Sequence, residues 1–145
     1  MATDSQTRDL SDMTGARRGA LLAYRRMLAA FLLAGAAQIF LAGLGVFSVT
    51  GHGASPDSAF AAHRGLGFAL GPAAALILVF ALIARPGRLP LALACVLVVQ
   101  TVLLQSVLAG LADNAALYGG LHALDGLLVL ANAGFLYASA RRWRS

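Results

Sequence analysis

The sequence predicts an all-α polytopic membrane protein, a four-helix transmembrane bundle made of two tandem parallel two-helix repeats. Three observations point there. Of the 145 residues, 59% are apolar and only 12% charged, with a mean hydropathy of +0.78, a composition too apolar for an ordinary soluble domain. The charged residues leave long uncharged tracts between them: Arg26 to Asp57, Arg64 to Arg85 and Arg88 to Asp113. A set of residue types also recurs in the same order in the two halves of the chain.

The elements follow in order. A bilayer-spanning helix needs about 20 apolar residues at 1.5 Å rise, and each uncharged tract holds one. A fourth apolar run, Ala115 to Ala140, is interrupted only by Asp125. The spans are expected at 27–49, 60–84, 90–112 and 116–139. Residues 1–24 read as a polar, disordered N-terminus, 25–140 as the transmembrane domain and 141–145 as a basic tail. The run ASPDSAFA after the first span has the small residues of a signal-peptide cleavage site. The preceding apolar stretch is about twice the length of a signal-peptide core, so it is read as a permanent helix.

All eleven basic residues are Arg, and the net charge is +5. Nucleic-acid binding would need them on one solvated face, whereas they are parcelled among uncharged tracts, so nucleic acid is excluded as a partner. Ten of the eleven precede the first span, fill the second turn (Arg85, Arg88) or follow the last span. By the positive-inside rule this side is cytoplasmic, giving a multi-pass plasma-membrane protein with both termini inside. Arg64 alone lies opposite. Tyr137 and Trp143 suit the membrane interface. The single cysteine, Cys95, precludes an intramolecular disulfide.

The repeat reads QIFLAGL at Gln38 and QSVLAGL at Gln105, each followed by a loop and then HRGLG at His63 or HALDG at His122. The two Gln lie 67 residues apart and the two His 59, so the first outer loop is eight residues longer. Both histidines fall within the first two turns of helices that run inward from the outer face. If consecutive helices are neighbours, these two are diagonal and their imidazoles face one another. Gly67 and Gly126 lie one turn below each His on the same face. With Gly43, Gly45, Gly65, Gly110, Gly119 and Gly120 they thin the helices around the pair. Two facing imidazoles with room between helices suit haem, whose iron takes axial ligands on both sides.

The order of spans, Gln and His resembles one half of haem A synthase and, more loosely, four-helix membrane cytochromes b. It is also similar to an uncharacterised family of small bacterial four-span membrane proteins sharing Q-x-F-L-A-G and H-x-x-x-G. The resemblance covers residues 25–140. It implies His63 and His122 as axial ligands of one haem b near the outer face, with a role in electron transfer. In haem A synthase the first His closes a Glu-x-x-His-Arg motif; His63 and Arg64 match its end, while Phe60 stands at the Glu position. That departure limits what the resemblance carries over to His63 and His122 as axial ligands, and leaves enzyme activity open, with the balance against it.

Alternatives stay open at this level. Arg64 is a candidate for a haem propionate or for an ion pair with Asp125, which would tie the two halves together. Gln38, Gln105, Thr101, Ser106 and Asn132 suit inter-helix hydrogen bonds. A cofactor-free accessory membrane protein uses the same histidines for hydrogen bonding across the bundle. A divalent-metal site from His52, His63, His122 and Asp57 or Asp113 lacks any compact ligand spacing, and a transporter has only Arg64 and Asp125 as pathway residues. The expected partners are the lipid bilayer and a redox or membrane-protein partner, or a second copy in a homodimer.

Overall fold

The computed structural model describes residues 15–142. The expectations for residues 1–14, Trp143 and Arg144 lie outside the described residues. The chain forms α1 (Gly15–His52), a short α2 (Pro56–Ala59), α3 (Ala61–Ala84), α4 (Arg88–Val98), a π-helical segment (Val99–Leu104), α5 (Gln105–Leu111) and α6 (Ala116–Arg141). α4, the π segment and α5 run on as one rod, so four helices are long and apolar enough to cross a membrane. The chain is a multi-pass membrane protein with an all-α four-helix bundle.

Each helix buries a stripe of residues spaced three or four apart. On α1 the stripe is Leu21, Tyr24, Leu28, Phe31 and Gly35; on α3 it is Leu70, Ala74, Ile77, Ala81 and Ala84. Ala94, Leu97 and Thr101 continue it on the third rod, and Asp125, Val129, Ala133, Leu136 and Ala140 on α6. This is the seam of near-parallel helices that interlock side chains. α1 packs on α3 and α6, and the third rod packs on α3 and α6. α3 and α6 are therefore diagonal, as expected from consecutive neighbours.

Burial is uneven along the bundle axis. The end holding the first described residues and the end of α6, here the terminal end, contains nearly all the fully buried side chains. Toward the other end, here the loop end, α5 has no buried residue and packs principally on α6. The inward positions Gln38, Leu41, His63, Leu66, Gln105, Leu108 and His122 are there only half-buried.

Two features differ from expectation. The first helix begins at Gly15, so residues 15–24 belong to it and not to a disordered tail. Leu21 and Tyr24 have no solvent exposure, and two arginines cap other helices. Arg17 donates from Nε to the carbonyl of Ala84 at 2.9 Å and from Nη2 to that of Arg85 at 3.3 Å. Arg25 donates from Nε to the carbonyl of Ala140 at 2.8 Å. These carbonyls are among the last of α3 and α6, which have no helical donor, and the negative end of each helix favours a cation there. The second feature is the π segment, where i→i+5 bonding interrupts the third rod. α3, by contrast, runs through Pro72 without a break.

The loop after α1 follows its sequence closely. Gly53 takes a positive φ of 65°, Ser55 caps α2 by accepting from the Ser58 amide, and Pro56 opens the helix. Proline is favoured there because its missing N–H would lack a helical partner anyway.

Candidate functional site

Gln38 of α1 and His63 of α3 bond reciprocally. The Gln38 amide donates from Nε2 to the His63 backbone carbonyl at 2.8 Å, and His63 Nδ1 lies 3.1 Å from the Gln38 carbonyl oxygen. Gln105 of α5 and His122 of α6 do the same, at 2.9 Å and 3.2 Å. A carbonyl oxygen only accepts, so Nδ1 carries the proton in both rings. The Nε2 lone pair is then available in each neutral imidazole. The glutamines' expected use in inter-helix hydrogen bonds is observed.

The two rings meet across the bundle with centroids 6.2 Å apart and planes at 68°. An ion held between two imidazoles at the usual metal–nitrogen distance of about 2 Å places ring centres roughly 6 Å apart. A ring nitrogen anchored by Nδ1–H to a backbone carbonyl is also how metal-ligating histidines are commonly oriented. The donor set and the ring separation match an axial pair, while the rings as they stand meet edge-on. Among the described residues no three His, Cys, Asp or Glu side chains converge on a metal-sized site, which leaves the outer divalent-metal arrangement without its third ligand.

Phe60 occupies the position where the resemblance places a glutamate. Its ring meets His63 edge-on, with centroids 6.2 Å apart, and fills the place where a Gly45 side chain would stand.

The glycines below the histidines make room for amides. A Cβ on Gly67 would sit 2.9 Å from Gln38 Nε2, and one on Gly126 would sit 3.8 Å from Gln105 Nε2. Both glycines thus admit the side chain that holds the histidine's carbonyl. Gly43, Gly65, Gly110 and Gly120 have nothing within 4 Å of a built Cβ, while Gly119 faces Ala112.

Arg64 does not pair with Asp125. Its Nη2 donates to the Asp57 carbonyl at 2.6 Å and lies 3.5 Å from Asp57 Oδ1, with the two side chains 46% and 98% exposed. The physical reason is direction: Arg64 follows His63 by one residue, so it points away from the bundle axis and toward the α2 turn.

Asp125 lies instead within the bundle, 4% exposed. Gln105 donates from Nε2 to its Oδ2 at 2.8 Å, and Gln100 from Nε2 to Oδ1 at 3.4 Å. Asn132 extends this chain, donating from Nδ2 to Gln100 Oε1 at 3.2 Å and to the Leu93 carbonyl at 3.1 Å. Sequence reading missed Gln100. On an α-helix, residues five apart point about 140° away from each other at 3.6 residues per turn. The wider π turn brings positions 100 and 105 toward one face, and both amides reach one carboxyl group. The only signal available was the i, i+5 pair of glutamines.

The first half lacks this extension. Leu66 stands three residues after His63, where Asp125 stands after His122. Gln38 Oε1 is buried without a hydrogen-bond partner.

No family model, curated protein or solved structure matches the chain.

Proposed function

We propose that the chain is a cytochrome b-like protein of the bacterial plasma membrane, binding one haem b between His63 and His122 and exchanging electrons near the outer face. The observation that carries this reading is the pair of facing imidazoles, each held by Nδ1–H on a glutamine carbonyl, with ring centres 6.2 Å apart. Haem bound there supplies a one-electron couple. The chain's own part is to fix two imidazoles by their protonated nitrogens, leaving Nε2 of each to ligate. Gln38 and Gln105 set the position of α3 against α1 and of α6 against α5. The inward face of the loop end is only half-buried, so less packing opposes the helices parting around a macrocycle there than at the terminal end. Arg64, half-exposed and next to His63 in the chain, is the candidate cation for a propionate, which would take it in exchange for Asp57. The arginine distribution supports cytoplasmic termini and an outward site. One site close to one face means that transfer across the whole membrane requires a redox or membrane-protein partner, or a second copy of the chain.

A specific observation favours a second reading. The imidazoles already touch edge-on and the glutamine amides fill the space beside Gly67 and Gly126, which suits a cofactor-free accessory protein stitched by polar contacts. The two readings part on one preparation. The full chain, purified in mild detergent from haem-replete cells, is expected to carry one haem per chain, with the sharp reduced bands of six-coordinate low-spin iron after dithionite. A colourless, helical, monodisperse protein from the same cells supports the accessory role and sinks the haem reading.

A further inference from the structure

Among the described residues Asp125 is an acid that makes no ion pair. Between Arg26 and Asp57, Arg64 and Arg85, Arg88 and Asp113, and Asp113 and Arg141, the only charged side chain is Asp125. Its described hydrogen-bond partners are the amides of Gln100 and Gln105, both of which donate to it. Arg64, the one arginine on the loop side of the spans, is taken by Asp57. An acidic group inside a membrane bundle is costly and marks a site where a positive partner is used. Asp125 is three residues from His122 on the same helix, so the two lie on one face one turn apart. It is also joined to His122 through Gln105, whose amide bridges the carboxyl group and the His122 carbonyl, and whose own carbonyl accepts from the His122 ring.

Haem bound between the histidines would supply such a partner. A ferric haem with two neutral imidazoles carries one net positive charge at its core, and a ferrous one carries none. We infer that Asp125 is the built-in counter-charge of the histidine site, stabilising the oxidised over the reduced haem and so setting a low midpoint potential. This rests on the haem reading above. The asymmetry between the halves gives it content: Leu66 holds the equivalent position beneath His63, so the charge is supplied from one side only, on the helix of His122. Asp125 acts through the field and through Gln105; it is a positioning and tuning residue and not a ligand.

The test is a redox titration of the haem absorbance in the full chain and in Asp125→Asn, Asp125→Ser and Asp125→Glu. Either neutral variant is expected to raise the midpoint, with the ferrous to ferric ratio at a fixed ambient potential increasing about tenfold, which is 59 mV for a one-electron couple. Asp125→Glu keeps the charge and is expected to stay within about threefold of the parent ratio, about 30 mV by the same constant. A purely structural role for Asp125 predicts instead that haem content and melting temperature fall in all three variants while the midpoint of the retained haem stays put. Neutral variants that keep both the low-spin spectrum and the parent midpoint overturn the inference and leave the haem reading intact. A parent protein without haem absorbance removes both, and that failure is visible in the spectrum before any titration begins.

Discussion

Gln38 and His63 each hold the other by side chain and backbone: the glutamine amide reaches the histidine carbonyl at 2.8 Å, and the imidazole Nδ1 reaches the glutamine carbonyl at 3.1 Å. Gln105 and His122 repeat this bond for bond. Such a clasp fixes the axial register of two antiparallel helices and the tautomer of the ring together. It also makes the residue beside the amide sensitive to volume.

Gly67 and Gly126 are expected to respond differently to the same substitution. In Gly67→Ala the new methyl meets Gln38 Nε2 at 2.9 Å and pushes the amide off the His63 carbonyl, whereas in Gly126→Ala it sits at ordinary contact distance, 3.8 Å from Gln105 Nε2. Losing one hydrogen bond costs about 1 kcal/mol, while alanine gains up to about 1 kcal/mol over glycine in a helix. Thermal unfolding in detergent should place Gly126→Ala at or above the parent and Gly67→Ala below Gly126→Ala by about 1 to 2 kcal/mol. Equal shifts contradict the clasp geometry.

Arg17 and Arg25 donate to the last carbonyls of α3 and α6. Replacing either by alanine strips a charge-assisted cap from a helix end and is expected to cost about 1 kcal/mol. Limited proteolysis should then cut first near residues 85–88 in Arg17→Ala and near the end of α6 in Arg25→Ala. If neither site gains sensitivity, the arginines serve topology alone.

Arg64 and Asp125 are expected to be energetically independent. Their double-mutant cycle to alanine should close within about 0.5 kcal/mol, since separated residues without shared partners add. The Arg64 and Asp57 pair is exposed, so removing it should cost no more than about 1 kcal/mol and less in high salt. A coupling above about 1 kcal/mol between Arg64 and Asp125 contradicts the observed pairing.

Sidedness has its own readout. In a background with Cys95 replaced by alanine, a cysteine at position 55 or 115 should react with a membrane-impermeant maleimide added to intact cells. One at position 87 should react only after the membrane is opened. The reverse pattern inverts the orientation given by the arginines.

The four spans and the Gln and His pairs were legible because both are local signals: an uncharged length, and residue types at a fixed distance from a loop. The α2 turn was equally open to reading in the Ser-Pro-Asp order at 55–57, a cap followed by a first-turn proline. Three features depended on other segments. The helical state of residues 15–24 is supported by Leu21 and Tyr24 packing into the core and by carbonyls of α3 and α6, which the local sequence does not display. Of the two readings of Arg64, the pairing with Asp125 failed because it matched two intramembrane charges by type, while the side chain's direction favoured Asp57. Gln100 was missed because the π segment turns it toward the face of Gln105, and apart from the i, i+5 glutamine pair the run VQTVLL carries no mark of i→i+5 bonding.

The most direct measurement of the central claim is the ferric absorption spectrum of His63→Ala and of His122→Ala, each recorded before and after adding free imidazole. The axial-pair account predicts that each variant loses the six-coordinate low-spin spectrum of the parent, and that added imidazole restores it by filling the emptied ligand position. A low-spin spectrum that persists in either variant without imidazole contradicts the assignment of that histidine as an axial ligand.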